Sequence, residues 1–158
     1  MRNLCKKEPV NYKMIEKRLL KRKLSKLREY LEELQPFVKI SLQDYLNDYK
    51  NKRTVERDIQ LIVECATDIN THILVETKES SPKDYYSSFT ELAKLHVLSH
   101  NFALSIAETA GLRNRLVHEY EEIKDAIVYR NIKKVLSLYQ EYIEHVIKYL
   151  GFLKTDDS

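Results

Sequence analysis

The sequence is poor in the residues that interrupt helices. Among 158 residues there are two glycines, three prolines and no tryptophan. So few breakers exclude a chain made of many tight turns, which a small sheet protein needs. Cys5 and Cys65 are the only cysteines. They are too few for a disulfide scaffold and lack the paired spacing of a zinc site. His96 and His100 stand four apart, but no third ligand stands at matching spacing, and no metal site is expected there. No apolar run approaches the roughly 20 residues that cross a bilayer. Met1 to Lys7 lacks the apolar stretch of a secretory signal. These absences predict a cytoplasmic protein without a membrane segment.

What is abundant is Leu, Ile, Lys and Glu, the composition of a helical protein with short connections. A chain of this length carries one core and not comfortably two. The expectation is an all-α up-and-down bundle of about five helices, one domain over residues 1–158. The net charge of +3 hides an asymmetry. Residues 1–28 hold eleven Lys and Arg against Glu8 and Glu16, a local +9 that leaves −6 for the rest. A basic block can hold phosphate backbones, or it can be a solvated helix face balanced by acidic neighbours.

Apolar periodicity places the helices. Ile15, Leu19, Leu24, Leu27, Leu31 and Leu34 mark one from about Asn11 to Leu34, and Pro36 stops it. Ser41 is a candidate cap for the next start. The polar stretch Asn47 to Thr54 marks a kink or a break. Val55, Ile59, Ile62, Val63, Ala66, Ile69 and Ile73 or Leu74 define a long amphipathic helix, in which Cys65 is expected as a small core residue. Ser80-Ser81-Pro82 signals entry to a short helix carrying Tyr85, Tyr86, Phe89, Leu92 and Ala93. A further helix spans about 99–118, and a last one about Asp125 to Leu150, with Gly151 as its stop. The tyrosines of that last helix, Tyr129, Tyr139, Tyr142 and Tyr149, stand at the spacing of core or interface residues.

The helix over 99–118 carries the chemistry. Ala103, Ala107, Ala110 and Gly111 form a stripe of small residues that admits a close neighbour, either within the monomer or, as expected here, a second copy across a two-fold axis. The helix ends in Gly111-Leu112-Arg113-Asn114-Arg115-Leu116-Val117-His118-Glu119-Tyr120. An arginine neutralises developing phosphoryl charge, and a histidine carries a proton near neutral pH. Arg113 and His118 are five apart, so on an ideal helix they point about 140° away from each other. They converge only if the last turn is distorted or a second chain completes the site.

The pattern Arg-x4-His-x-Tyr, with Asn after the Arg, resembles the motif of HEPN-domain ribonucleases and most closely the HepT toxin family. Thr54-Val55-Glu56-Arg57-Asp58-Ile59-Gln60-Leu61 is similar to that family's second long helix. Tyr86 with Phe89, Leu92 and Ala93 is similar to the segment before its motif helix. The resemblance implies a homodimeric, metal-independent ribonuclease toxin of a type VII toxin–antitoxin system, with no cofactor. It implies His118 as general acid or base, Arg113 as stabiliser of the phosphorane and Asn114 as an orienting amide. It also implies a small MntA-like nucleotidyltransferase antitoxin as partner, one that transfers AMP to Tyr120 and can join the homodimer in a hetero-oligomer. The alternative is a non-catalytic HEPN-like helical adaptor, or a nucleotide-binding partner subunit of a nucleotidyltransferase.

Overall fold

The computed structural model describes residues 8–78, 80–118 and 125–151, with the side chains of 8–15 and 78 left aside. The described residues form six α-helices and one short 3-10 turn joined by short connections, and none of them is in a strand. The helices are α1 (Glu8–Leu34), α2 (Leu42–Asn47), α3 (Tyr49–Lys78), α4 (Tyr85–Lys94), α5 (His100–His118) and α6 (Asp125–Leu150). Gln35–Val38 forms the 3-10 turn, with Pro36 near its start. The sixth helix comes from a break in the polar stretch after Asn47. Asp48 sits in extended conformation there. Its side chain accepts from the backbone N–H of Lys50 and Asn51 and so starts α3.

Buried apolar side chains from the helices form one continuous cluster. On α1 the buried set is Leu20, Leu24, Leu27, Leu31 and Leu34. Leu20, not Leu19, takes the first described position, because steps of four and three keep a stripe on one face whereas a step of five leaves it. Ile15 lies outside the described side chains. On α3, Val55, Ile59, Ile62, Val63, Ala66, Ile69, Ile73 and Leu74 are all buried. Cys65 is only half-buried, and its Sγ donates to the Lys23 carbonyl at 3.3 Å. Burial pushes its thiol up to about 11, which makes it inert at neutral pH.

Local chemistry sets the helix ends. Ser41 accepts from Asp44 N at 3.1 Å and caps α2. Entry to α4 differs from the Ser80-Ser81-Pro82 expectation. The cap is Asp84, which accepts from Ser87 N at 2.7 Å while Ser87 Oγ accepts from Asp84 N at 3.1 Å. Two reciprocal bonds satisfy more of the exposed N–H groups than a proline three residues upstream can. At the other end of α4, His96 has φ of 61°. Its N–H donates to Ala93 O at 3.0 Å, and Val97 N–H donates to Leu92 O at 3.1 Å. This is a Schellman ending with His where Gly is usual. It buries Val97 and Leu98 and turns the chain into α5. Gly151, with φ of 69°, follows the end of α6.

The core has polar centres. Tyr139 and Tyr142 of α6 are fully buried and meet Phe89 edge to face, with ring centroids 6.4 and 6.0 Å away. Tyr142 OH lies 2.5 Å from Asn70 Oδ1 and 3.1 Å from Ala66 O, and Asn70 Nδ2 donates to Ser88 Oγ at 3.0 Å. Thr109 Oγ1 donates to Ile106 O at 2.6 Å and is therefore the acceptor of the 2.7 Å bond with Tyr139 OH. These bonds tie α3, α4, α5 and α6 together in one register.

Candidate functional site

Ala103, Ala107 and Ala110 are buried within this one chain, and α5 packs along α4 and α3 through them. The small stripe therefore serves packing inside the monomer, which corrects the expectation of a two-fold contact along it. Short side chains let the α5 backbone approach its neighbours closely. Gly111 parts from that stripe. It is exposed, and a Cβ placed on it meets nothing within 4 Å.

From Gly111 onward α5 divides into two faces. Asn114, Arg115 and His118 are exposed with Gly111, while Leu112 and Leu116 pack against the core. Arg113 turns inward to α3 and α4. Its Nη2 lies 2.6 Å and its Nε 3.1 Å from Glu64 Oε1, both donating to that single oxygen. Its guanidinium carbon lies 4.6 Å from the centroid of the Tyr85 ring. Its Nη1 donates to Asn114 Oδ1 at 3.3 Å. Arg113 is 12 % exposed and Glu64 29 %, so both charges are partly withdrawn from water. Burial works against ionisation of Glu64. Hydrogen bonds from Arg113 and Gln60, with the charges of Arg113 and Arg57, outweigh it and hold the carboxyl below its usual range. Gln60 Nε2 donates to the same Oε1 at 3.0 Å.

Helix α5 remains an α-helix through His118. Five residues of regular helix leave Arg113 and His118 about 140° apart. The structure thus brings Arg113 and Asn114 together and does not bring His118 to the same cleft within one chain. Tyr120 lies outside the described residues.

Glu64 and Tyr85 are the partners of Arg113 that sequence reasoning missed. Glu64 sits beside the buried α3 stripe and four residues after Gln60, a position indistinguishable from an ordinary boundary polar residue. Its partner is 49 residues away, and no local pattern carries that information. The same two residues open onto a surface groove of about 440 Å³ between α1, α3 and α4, which Tyr30, Asp68 and Thr71 also line. Among the described residues no group of three or more His, Cys, Asp or Glu is placed to hold a metal ion. No described helix is long and apolar enough to cross a membrane.

Comparison with known proteins bears on this geometry. A family model described as Ribonuclease HepT-like matches residues 27–146. The chain is 37 % identical over 144 residues to the tRNA nuclease HepT of Aphanizomenon flos-aquae (strain 2012/KM1/D3), covering 91 % of this chain and 98 % of that one. It is 28 % identical over 104 residues to the mRNA nuclease HepT of Shewanella oneidensis, covering 66 % of this chain and 77 % of that one. A solved structure of a tri-AMPylated Shewanella oneidensis HEPN toxin in complex with an MNT antitoxin superposes with a TM-score of 0.73. It is 23 % identical and covers 80 % of this chain and 95 % of that one. At that identity the likeness concerns the fold.

Proposed function

The chain belongs to the HepT-like ribonuclease family, and we propose that it is the RNA-cleaving toxin of a toxin–antitoxin pair, acting in the cytoplasm as a homodimer of a single HEPN-like domain spanning 1–158. The observation that carries the reading is the placement of Arg113. Its charge is fixed by Glu64 and Tyr85, with Asn114 bonded beside it, on the same helix end that exposes His118.

Cleavage proceeds without a metal, because the substrate supplies its own nucleophile. The ribose 2′-OH loses its proton and its oxygen bonds to the adjacent phosphorus. The bond from phosphorus to the 5′-oxygen breaks, and that oxygen takes a proton. The products end in 2′,3′-cyclic phosphate and 5′-OH. His118 moves a proton, Arg113 offsets charge on the phosphoryl oxygens, and Asn114 orients the phosphate or the histidine. Since Arg113 and His118 diverge on one helix, the working site combines Arg113 of one protomer with His118 of the other. The exposed face of Gly111, Asn114 and His118 is where the copies approach.

Tyr120 is the proposed acceptor of AMP. Its phenolic oxygen attacks the α-phosphorus of ATP held by a MntA-like antitoxin, and pyrophosphate leaves. The relatives supply the precedent, since the Shewanella oneidensis HEPN toxin is tri-AMPylated and in complex with an MNT antitoxin. An attached AMP places bulk and negative charge two residues from His118, which repels an RNA phosphate. Tyr120→Phe keeps RNase activity and escapes silencing by modification. Silencing of that variant as complete as for wild type identifies direct binding as the off switch instead.

The experiment for catalysis incubates the purified protein with total RNA in EDTA and analyses the new ends. Cyclic phosphate and 5′-OH termini are expected. An absolute requirement for added divalent metal rules out this mechanism.

A further inference from the structure

The outer face of α1 changes sign along its length. Lys17, Arg18, Lys21, Arg22, Lys26 and Arg28 are exposed first, and Glu29, Glu32 and Glu33 after them. The buried stripe from Leu20 to Leu34 takes the opposite side, so these charges share the half of the helix that faces solvent. Ser25 stands near the middle of that half and is exposed. By helical steps of three and four, its neighbours are Lys21, Arg22 and Arg28, with Glu29 as the one acid. A short hydroxyl side chain among three cations leaves room for an anion between them.

Carboxylates nearby do not neutralise this face. Lys23, at its edge, pairs with Asp68 of α3, and Lys26 donates to Glu29 at 3.1 Å. Among the described residues no carboxylate is ion-paired with Lys17, Arg18, Arg22 or Arg28. The spacing itself opposes the helix. Lys17 with Lys21, Arg18 with Arg22, and Arg22 with Lys26 are like charges four apart, which destabilise a helix. A face that met only water would gain from alternating signs, as Lys26 and Glu29 alternate. Concentrated cations fit a partner that carries repeated negative charge.

The position of this ridge separates it from the catalytic end of α5. Helix α1 packs on α3, and α3 packs on α5. The axes of α1 and α5 therefore lie up to roughly 20 Å apart, two ordinary helix spacings. The ridge from Lys17 to Arg28 is itself about 16 Å long. One nucleotide of a stacked strand advances about 3.4 Å, so a phosphate on the ridge is several nucleotides from one at Arg113. Glu29, Glu32 and Glu33 repel phosphate and confine the strand to the basic part.

We propose that the basic ridge of α1 holds the phosphate backbone of the RNA several nucleotides away from the cleaved bond, and so favours long substrates over short ones. Phosphate contacts carry no base code, so the ridge adds affinity without sequence preference. This inference rests on the RNA-cleavage reading and adds a second contact surface to it.

The test compares wild type with a variant carrying Lys17→Gln, Arg18→Gln, Arg22→Gln and Arg28→Gln. Gln keeps helix propensity, and circular dichroism checks the fold. Binding is read by fluorescence anisotropy on a labelled RNA hairpin with a single-stranded tail, with His118→Ala added to both proteins so that the RNA stays intact. Four lost phosphate contacts should raise Kd about tenfold or more at low salt and flatten the slope of log Kd against log salt by about 3. In cleavage, KM for the hairpin should rise with kcat unchanged, and KM for a trinucleotide should not move. Arg18→Lys with Arg22→Lys keeps the charge and should bind as wild type. An unchanged Kd and salt slope overturns the proposal. So does a KM for the trinucleotide that rises as much as that for the hairpin, because the ridge then acts on the cleft itself. A variant that binds RNA as before but no longer retains a nucleotidyltransferase partner overturns it too, and makes the ridge a protein contact. If wild type cuts neither RNA, the catalytic reading has failed, and the anisotropy still decides the ridge.

Discussion

Helix α5 is two helices in physical character. From Ala103 to Ala110 the inward residues are buried, three alanines with Ile106 among them, and the one inward hydroxyl, Thr109, is bonded at both ends. From Gly111 to His118 the polar residues are either exposed or, in Arg113, held by a single carboxylate near the surface. The first half makes a close-packed joint whose one buried hydroxyl is satisfied by Ile106 O and Tyr139 OH. The second half projects charge and a titratable ring toward solvent. One helix thereby lends the rigidity of a core to groups that must stay reachable, as a preorganised site requires.

The widest separation between the halves is expected at His118. His118→Ala should reduce RNA cleavage by about 10²–10⁴-fold, the scale of a lost proton-transfer group. Thermal unfolding should move little, because the side chain is exposed. A large fall in Tm would place His118 in the structural half. Ala107→Leu tests the other half. Filling that closely packed position should destabilise the fold by about 1–3 kcal/mol in urea titration. No loss of stability would mean that the joint has slack.

Arg113 is the boundary case, and Glu64 decides how far it belongs to each side. Glu64→Gln should cost about 1 kcal/mol at neutral pH, as for a partly exposed ion pair. Because the carboxyl of Glu64 is depressed in the folded chain, the pair stabilises above the ordinary glutamate range. That contribution is lost as pH falls through the depressed value. The stability gap between variant and wild type should therefore close on acidification. A gap that persists at low pH would assign the effect to packing rather than to charge.

The smallest effect is expected at Gly111, where the two characters meet. An added Cβ has open space there, so Gly111→Ala should stabilise the chain by about 0.4–1 kcal/mol through helix propensity and a less flexible unfolded state. Gly111→Leu should not destabilise the chain either, yet it should weaken the dimer in sedimentation if copies meet on this face. A dimer indifferent to Leu moves the two-fold contact elsewhere.

Local spacing alone determined much of this protein. The stripes on α3 and α6, the Ser41 cap, the break near Asp48, the stop at Gly151 and the Arg113-Asn114-x3-His118 arrangement all follow from residues within a few turns of one another. Helical periodicity and capping are short-range physics, so a sequence displays them directly. Where local signals competed, the reading slipped. Leu19 stood in for Leu20, and Pro82 outweighed the reciprocal bonds of Asp84 and Ser87. Tertiary structure alone decided which way the Ala103 to Ala110 stripe faces, that Arg113 is tied to Glu64 over Tyr85, and that a groove opens beside that pair. Those outcomes depend on residues 28 and 49 positions from Arg113 in the chain. Burial of a stripe and capture of a charge are set by which helices pack together, and no local pattern encodes that choice.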